Sequence, residues 1–374
     1  VTVTARRLAV CVSCGLIADA WGTGGHRPDC MGGAPIVRPL VGLVAPWSPD
    51  VFEAVGTASR ATPEEMAEVR AWADRFRPVE LPPLGSPWRS ITKPGIYVMP
   101  ANVYRADPVR GGSLSRSGAK SMLPPSCPAK YIHEHDHGRP EKDTFDYGHA
   151  AHRVVLGEGA DIAPAPPEFA DWRKKAAGEF KRAAYAAGKV PLLASQHERV
   201  LDMAAALLDD EDAARAFAPG TGLAEVVLIW RDVQTGVMLR VMVDWLPHPT
   251  PERRFVFADY KSCERADLLA VARAIDDFRY HWQLDWIETG IVELGIDDDP
   301  CGILVFQEKN PPYVVTMGQP DDRSRTIAAA RNRQAINLFR ECSDANVWPK
   351  YVAGIAEIAL PGYSEAREWR EVSQ

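Results

Sequence analysis

Residues 255–264 read FVFADYKSCE, and the meaning of this short run decides the fold. Alternate residues of a strand share a face, so Phe255, Phe257, Asp259 and Lys261 point one way while Val256, Ala258 and Tyr260 point the other. An acid and an ammonium carried into the end of an oily strand are costly unless they find partners. Alone, such an Asp-x-Lys reads as a salt bridge at a strand end. The flanking sequence points further.

Two runs of period two precede it, AEVVLIWRD at 224–232 and VMLRVMVDWL at 237–246, joined by VQTG, which carries the glycine of a hairpin turn. Pairing Asp232 with Val237 sets Glu225 opposite Asp244, and facing residues lie on one side of a ladder. A slip of one residue would turn every side chain to the other face. In this register two carboxylates sit side by side, near Asp259 on the third strand. Three crowded acids repel one another unless a cation neutralises them, and hard oxygen donors suit Mg²⁺ or Mn²⁺ better than zinc. Lys261 beside them would stay protonated and stabilise negative charge on a phosphoryl oxygen. Divalent ions lower the pKa of water, and two of them about 4 Å apart can clamp attacking and leaving oxygens. The combination points to phosphodiester hydrolysis.

Around these strands the pattern is helical. SLSRSGAKSML starts a helix with Ser115 as its cap, DTFDYGHAAHRVVLGEG forms a second, and two more follow near 168–188 and 195–217. After the strands come a helix over about 264–289, a hairpin made of GILVFQEK and YVVTMG, and a long helix near 322–343. This order predicts an α/β fold with a central mixed sheet flanked by helices. The organisation expected is a small module over 1–35, a proline-rich spacer with one helix over 36–90, and one domain over 91–374.

Composition narrows the setting. The chain has 374 residues, 46% hydrophobic and 25% charged, enough for a sizeable core. No run is long and apolar enough to span a bilayer and no signal-peptide pattern is visible, so a cytoplasmic location without membrane attachment is expected. Seven scattered cysteines suit a reducing compartment. A net charge of −7 argues against general affinity for polyanions, so any nucleic acid must meet a local basic groove.

Cys11-x₂-Cys14 followed by His26-x₃-Cys30 has the ligand types and inner spacings of a structural Zn²⁺ site. HEHDH at 133–137 lacks the spacing of a metallo-hydrolase and reads as a solvated loop; the rival, a zinc hydrolase, would not need Lys261. Trp230, Trp245, Trp282 and Trp286 fall at core spacings and read as packing. The cysteines at 127, 263, 301 and 342 lack the clustering of an iron–sulfur ligand set.

Taken together, MVDWL, ADYKS, the YGHAAHRVVL helix, YHWQLDWIETG, the LSRSGAKSMLPPSCPAKY segment and the terminal WPKY and IALPGY resemble the RecE-type (exonuclease VIII-like) phage exonucleases, a branch of the PD-(D/E)xK nuclease superfamily. The resemblance covers about residues 95–365. It implies a restriction-endonuclease-like core in which Asp244 and Asp259 bind the metal with the carbonyl of Tyr260, Lys261 is the catalytic lysine, His152 is the metal-side histidine, Glu225 is the acid of the preceding strand and Gln283 is the glutamine of the downstream helix. The tyrosine usual four residues after that glutamine is Ile287 here, with Tyr280 a turn away on the other side. The family further implies Mg²⁺-dependent, ATP-independent 5′-to-3′ digestion of linear double-stranded DNA from its ends, by a homo-oligomeric ring that feeds a single-strand annealing protein in recombination. Arg116, Ser117 and Lys120, at a helix N-terminus, are candidates for DNA phosphates. A structure-specific endonuclease of the same fold and a DNA-end-binding protein with a weakened site are the alternatives.

Overall fold

The computed structural model describes residues 8–10, 17–19, 79–80, 91–138, 144–156, 161–218, 221–249 and 254–373. Cys11, Cys14, His26 and Cys30 lie outside them, as does the helix expected in the spacer. Within the first module, β1 (Leu8–Val10) and β2 (Ile17–Asp19) pair antiparallel. From the spacer, β3 (Val79–Glu80) pairs in parallel with β4 (Gly95–Val98). The chain then runs through α1 (Ala101–Arg105), β5 (Leu114–Ser115), α2 (Arg116–Met122), α3 (Pro128–His137) and α4 (Thr144–Leu156). Next come β6 (Ile162–Pro164), α5 (Lys175–Ala186), β7 (Val190–Leu192), α6 (Ala194–Asp209) and α7 (Glu211–Ala216). The central strands are β8 (Gly222–Arg231), β9 (Met238–Pro247) and β10 (Val256–Cys263). Helices α8 (Leu268–Phe278) and α9 (Tyr280–Glu293) lead to β11 (Cys301–Glu308), β12 (Val315–Gly318), α10 (Asp322–Ala345) and α11 (Gly362–Val372).

The main sheet has the order β12-β11-β10-β9-β8-β4-β3, with β5 alongside β9. It is mixed: β10 runs parallel to β11 and antiparallel to β9, and β8 with β9 forms the expected hairpin, closed by Asp232 N–H donating to Val237 O at 2.9 Å. Helices cover both faces. The larger core joins the sheet to α2, α8, α9 and α10; the smaller joins Trp245, Ala258, Tyr260 and Val305 to α4, α6 and α7. Burial on both faces explains why Val226–Trp230 reads as an unbroken apolar run. The four tryptophans at 230, 245, 282 and 286 are buried, as their spacing implied.

Caps fall where the side chains supply them: Ser115 Oγ accepts from Gly118 N at 3.1 Å and Asp321 Oδ1 from Ser324 N at 2.8 Å. Four expectations change. The helix expected near 195–217 is two, α6 and α7, divided at Asp210, whose backbone is extended and whose side chain caps α7 by accepting from Ala213 N at 2.9 Å. His133–His137 is not a loop but the exposed C-terminal part of α3, which Gly138 ends with a positive φ of 77°. The helix expected near 168–188 begins only at Lys175. The helix expected over 264–289 is two helices, because Arg279 takes a left-handed conformation, φ 58° and ψ 41°, and breaks the ladder. Among the described residues no helix is long and apolar enough to cross a membrane.

Candidate active site

The β8–β9 ladder brackets its two acids. Ala224 pairs with Trp245 and Val226 with Val243, as the hairpin register requires, but the ladder is interrupted between them, at Glu225 and Asp244. At this pair the alternation of faces slips on both strands: Leu223 and Val226 pack on the larger core and Ala224 on the smaller, while Val243 and Leu246 pack on the larger and Trp245 on the smaller. Glu225 has a positive φ of 49°. Irregularities of this kind re-aim side chains beside functional sites.

Four elements converge beyond the slip. Asp244 Oδ2 accepts a hydrogen bond from Tyr260 N at 2.9 Å and lies 3.7 Å from Lys261 Nζ and 3.8 Å from His152 Nε2. Lys261 forms an ion pair with Asp259 Oδ2. From α9, Gln283 Nε2 donates to Asp259 Oδ1 at 2.7 Å, and the Tyr280 ring lies under the Lys261 ammonium, 5.1 Å from its centroid. The His152 ring stands edge-on to Tyr260 at 5.2 Å. Behind it, Tyr260 Oη donates to Gln307 Oε1 and Gln307 Nε2 to Met203 O, each at 2.7 Å. Gln307 was missed in the sequence, although a glutamine inside the apolar run ILVFQ was the available signal. Ile287 is fully buried in the larger core, and Tyr280 is the tyrosine that reaches the lysine.

The electrostatics follow from burial and crowding. Asp259 is wholly buried and is pushed up to about 6, first by desolvation and then by Asp244, with Lys261 pulling the other way. Burial opposes the charge on Lys261, yet Asp259 and Asp244 together outweigh it and hold the ammonium above the usual lysine range. Desolvation, helped by Lys261, lowers His152 to about 4, which leaves a neutral imidazole at pH 7. Asp259 Oδ2 is buried, and its partner is the Lys261 ammonium.

These features fit a divalent cation. A buried carboxylate, a second acid raising its pKa, and a neutral histidine are a donor set that bound positive charge would relieve. Asp244 and Asp259 would hold it, with His152 adjacent. Among the described residues no group of three or more His, Cys, Asp or Glu side chains is arranged around one point; the Lys261 ammonium lies between the acids. Of the phosphate candidates, Ser117 is exposed, while Arg116 Nη2 donates to the carbonyls of Phe278 and Arg279 at 2.7 and 2.6 Å and Lys120 Nζ to that of Asp277 at 3.1 Å.

Comparison with solved structures finds a "Putative exonuclease" from Eubacterium rectale, 10% identical, with a TM-score of 0.47, covering 70% of this chain and 96% of that one. No curated protein matches the sequence. A sequence model of the PD-(D/E)XK nuclease superfamily matches residues 123–345. That span is more than half of the chain and contains His152, Glu225, Asp244, Asp259, Lys261 and Gln283, five of which the fold gathers into one ionic cluster. The chain belongs to the PD-(D/E)XK nuclease superfamily.

Proposed function

We propose that this protein is a Mg²⁺- or Mn²⁺-dependent exonuclease that digests one strand of linear double-stranded DNA from its ends, without ATP and in the 5′-to-3′ direction. The observation that carries the hydrolytic reading is the meeting of Asp244, Asp259, Lys261 and Gln283 from two neighbouring strands and a helix. Lys261 holds a permanent positive charge where negative charge develops on the phosphoryl oxygens. Gln283 fixes the rotamer of Asp259, and Tyr260 N–H fixes Asp244. His152, neutral, offers an uncharged imidazole nitrogen beside Asp244. A bound divalent ion would supply Lewis acidity to the phosphodiester and lower the pKa of the attacking water.

The direction of digestion, the role in phage-type recombination, the annealing partner and the ring of subunits come to this reading from the RecE-type resemblance. The Cys11, Cys14, His26 and Cys30 set adds a structural Zn²⁺ to the N-terminal module. The test incubates the full chain with linear and covalently closed circular duplex, with Mg²⁺ and with chelator. Nucleotide release from linear duplex alone, only with Mg²⁺, is expected. Cleavage of the closed circle would replace the exonuclease by an endonuclease, and Mg²⁺ binding without hydrolysis would leave a DNA-end-binding protein.

A further inference from the structure

The left-handed turn between α8 and α9 is the feature on which the site's helix-borne residues depend. Arg279 is at once the C-cap of α8 and the N-cap of α9, and no side chain caps α9 at that point. A non-glycine residue in this conformation is unfavourable by itself. The turn also leaves the last carbonyls of α8 without helical partners, at the negative end of its dipole. Tyr280 and Gln283 follow within the first turn of α9, and these are the residues that meet Lys261 and Asp259.

Helix α2, more than 150 residues earlier in the chain, adds donors to this turn, whose Arg279 carbonyl already accepts from Trp282 N and Gln283 N. Arg116 Nη2 donates to two consecutive carbonyls, Phe278 at 2.7 Å and Arg279 at 2.6 Å. Lys120, one helical turn on, donates to Asp277 O at 3.1 Å and lies over the Phe278 ring, which stacks on Tyr280 at 5.4 Å. Three successive carbonyls are thus held by two cations from one face of α2. Arg116 Nε is buried, and the Nη2 donor is turned to the protein's own carbonyls.

We infer that Arg116, assisted by Lys120, is a positioning residue: it clamps the left-handed turn at Arg279 and so sets Tyr280 and Gln283 against the Lys261–Asp259 pair, without itself touching DNA. This rests on the nuclease reading for its effect on rate, but the clamp has a readout of its own. Arg116→Met keeps the aliphatic stem and removes the donors; Arg116→Lys keeps one donor. In hydrogen exchange, the amides of residues 279–283 in Arg116→Met should exchange about 10-fold faster than in the wild type, with β8–β11 unchanged.

On linear duplex with Mg²⁺, kcat should fall about 10- to 100-fold for Arg116→Met at nearly constant KM, since displaced groups lose the reacting geometry. Arg116→Lys should recover part of it. The slope of binding against salt should not change, whereas loss of a phosphate contact would reduce it by ~0.9. Unchanged exchange at 279–283 would overturn the clamp; faster exchange with unchanged kcat would overturn the positioning role; a raised KM with a shallower salt slope would make Arg116 a DNA contact instead. If Arg116→Met does not fold, Lys120→Met, which removes one carbonyl contact, must show the same changes in smaller degree or the inference fails. A wild type that hydrolyses nothing would sink the nuclease reading, while the exchange measurement would still decide the clamp.

Discussion

Lys261 has two tasks that a substitution separates. It neutralises Asp244 and Asp259, and in the proposed hydrolysis it would present charge to the substrate. Lys261→Met should lower kcat by at least about 10²-fold, the loss typical of removing a preorganised charge stabiliser. It should also leave the two acids repelling each other, so Mn²⁺ should raise the melting temperature of the variant at least as much as that of the wild type; a smaller rise, in a thermal melt with and without Mn²⁺, would contradict the assigned acids. Glu288 gives a stability prediction away from the site. Burial pushes its carboxyl up to about 7 from 4.5, against Arg325 and the Gly302 N–H, which favour the anion. The native state therefore holds its proton where the unfolded chain has lost it, and this group's contribution to stability falls as pH rises from 4.5 to 7. Relative to Glu288→Gln, the wild type should lose at most about 3 kcal/mol over that window in urea melts.

At the scale of elements, α9 must approach the sheet closely for Gln283 to reach Asp259, and glycine makes room for it. A Cβ at Gly302 on β11 would lie 2.5 Å from Phe257 Cζ and 2.9 Å from Leu284 Cδ2. Gly302→Ala should cost about 1–3 kcal/mol by overpacking, measured by denaturant unfolding, and lower kcat as α9 shifts. A second contact joins segments that were separate in the sequence. The SCPAKY and WPKY motifs pack together, with Ala129 N donating to Pro349 O at 3.1 Å, Tyr351 Oη to Pro125 O at 3.1 Å, and the Tyr131 and Trp348 rings 5.5 Å apart. The short helix α2 is set between this corner and α9, which gives Arg116 a fixed base.

For the molecule as a whole, the two apolar clusters that sandwich the sheet carry the stability, and the ionic cluster lies at their border. Removing divalent ions should therefore abolish cleavage while leaving the fold intact: far-ultraviolet circular dichroism in chelator should match that in Mg²⁺, with only a lower melting temperature. A chelator-treated protein that loses its secondary structure would make the metal structural. The net charge of −7 agrees with a site that is itself acidic, so the DNA of the proposed reaction would have to be drawn by local cations and not by the overall field.

The sequence by itself determined the three central strands, the hairpin register on either side of Glu225 and Asp244, and the shared face of Asp259 and Lys261, because a hairpin turn and a period of two are local and leave little choice. It also marked His152 and Gln283, through motifs whose order survives without their geometry. Tertiary structure alone decided the break at Arg279, the slip of faces at Glu225 and Asp244, the place of Tyr280 under Lys261, and the helical state of His133–His137. The break and the place of Tyr280 depend on partners far away in the chain, and local propensity cannot report a left-handed arginine held by another arginine 163 residues distant.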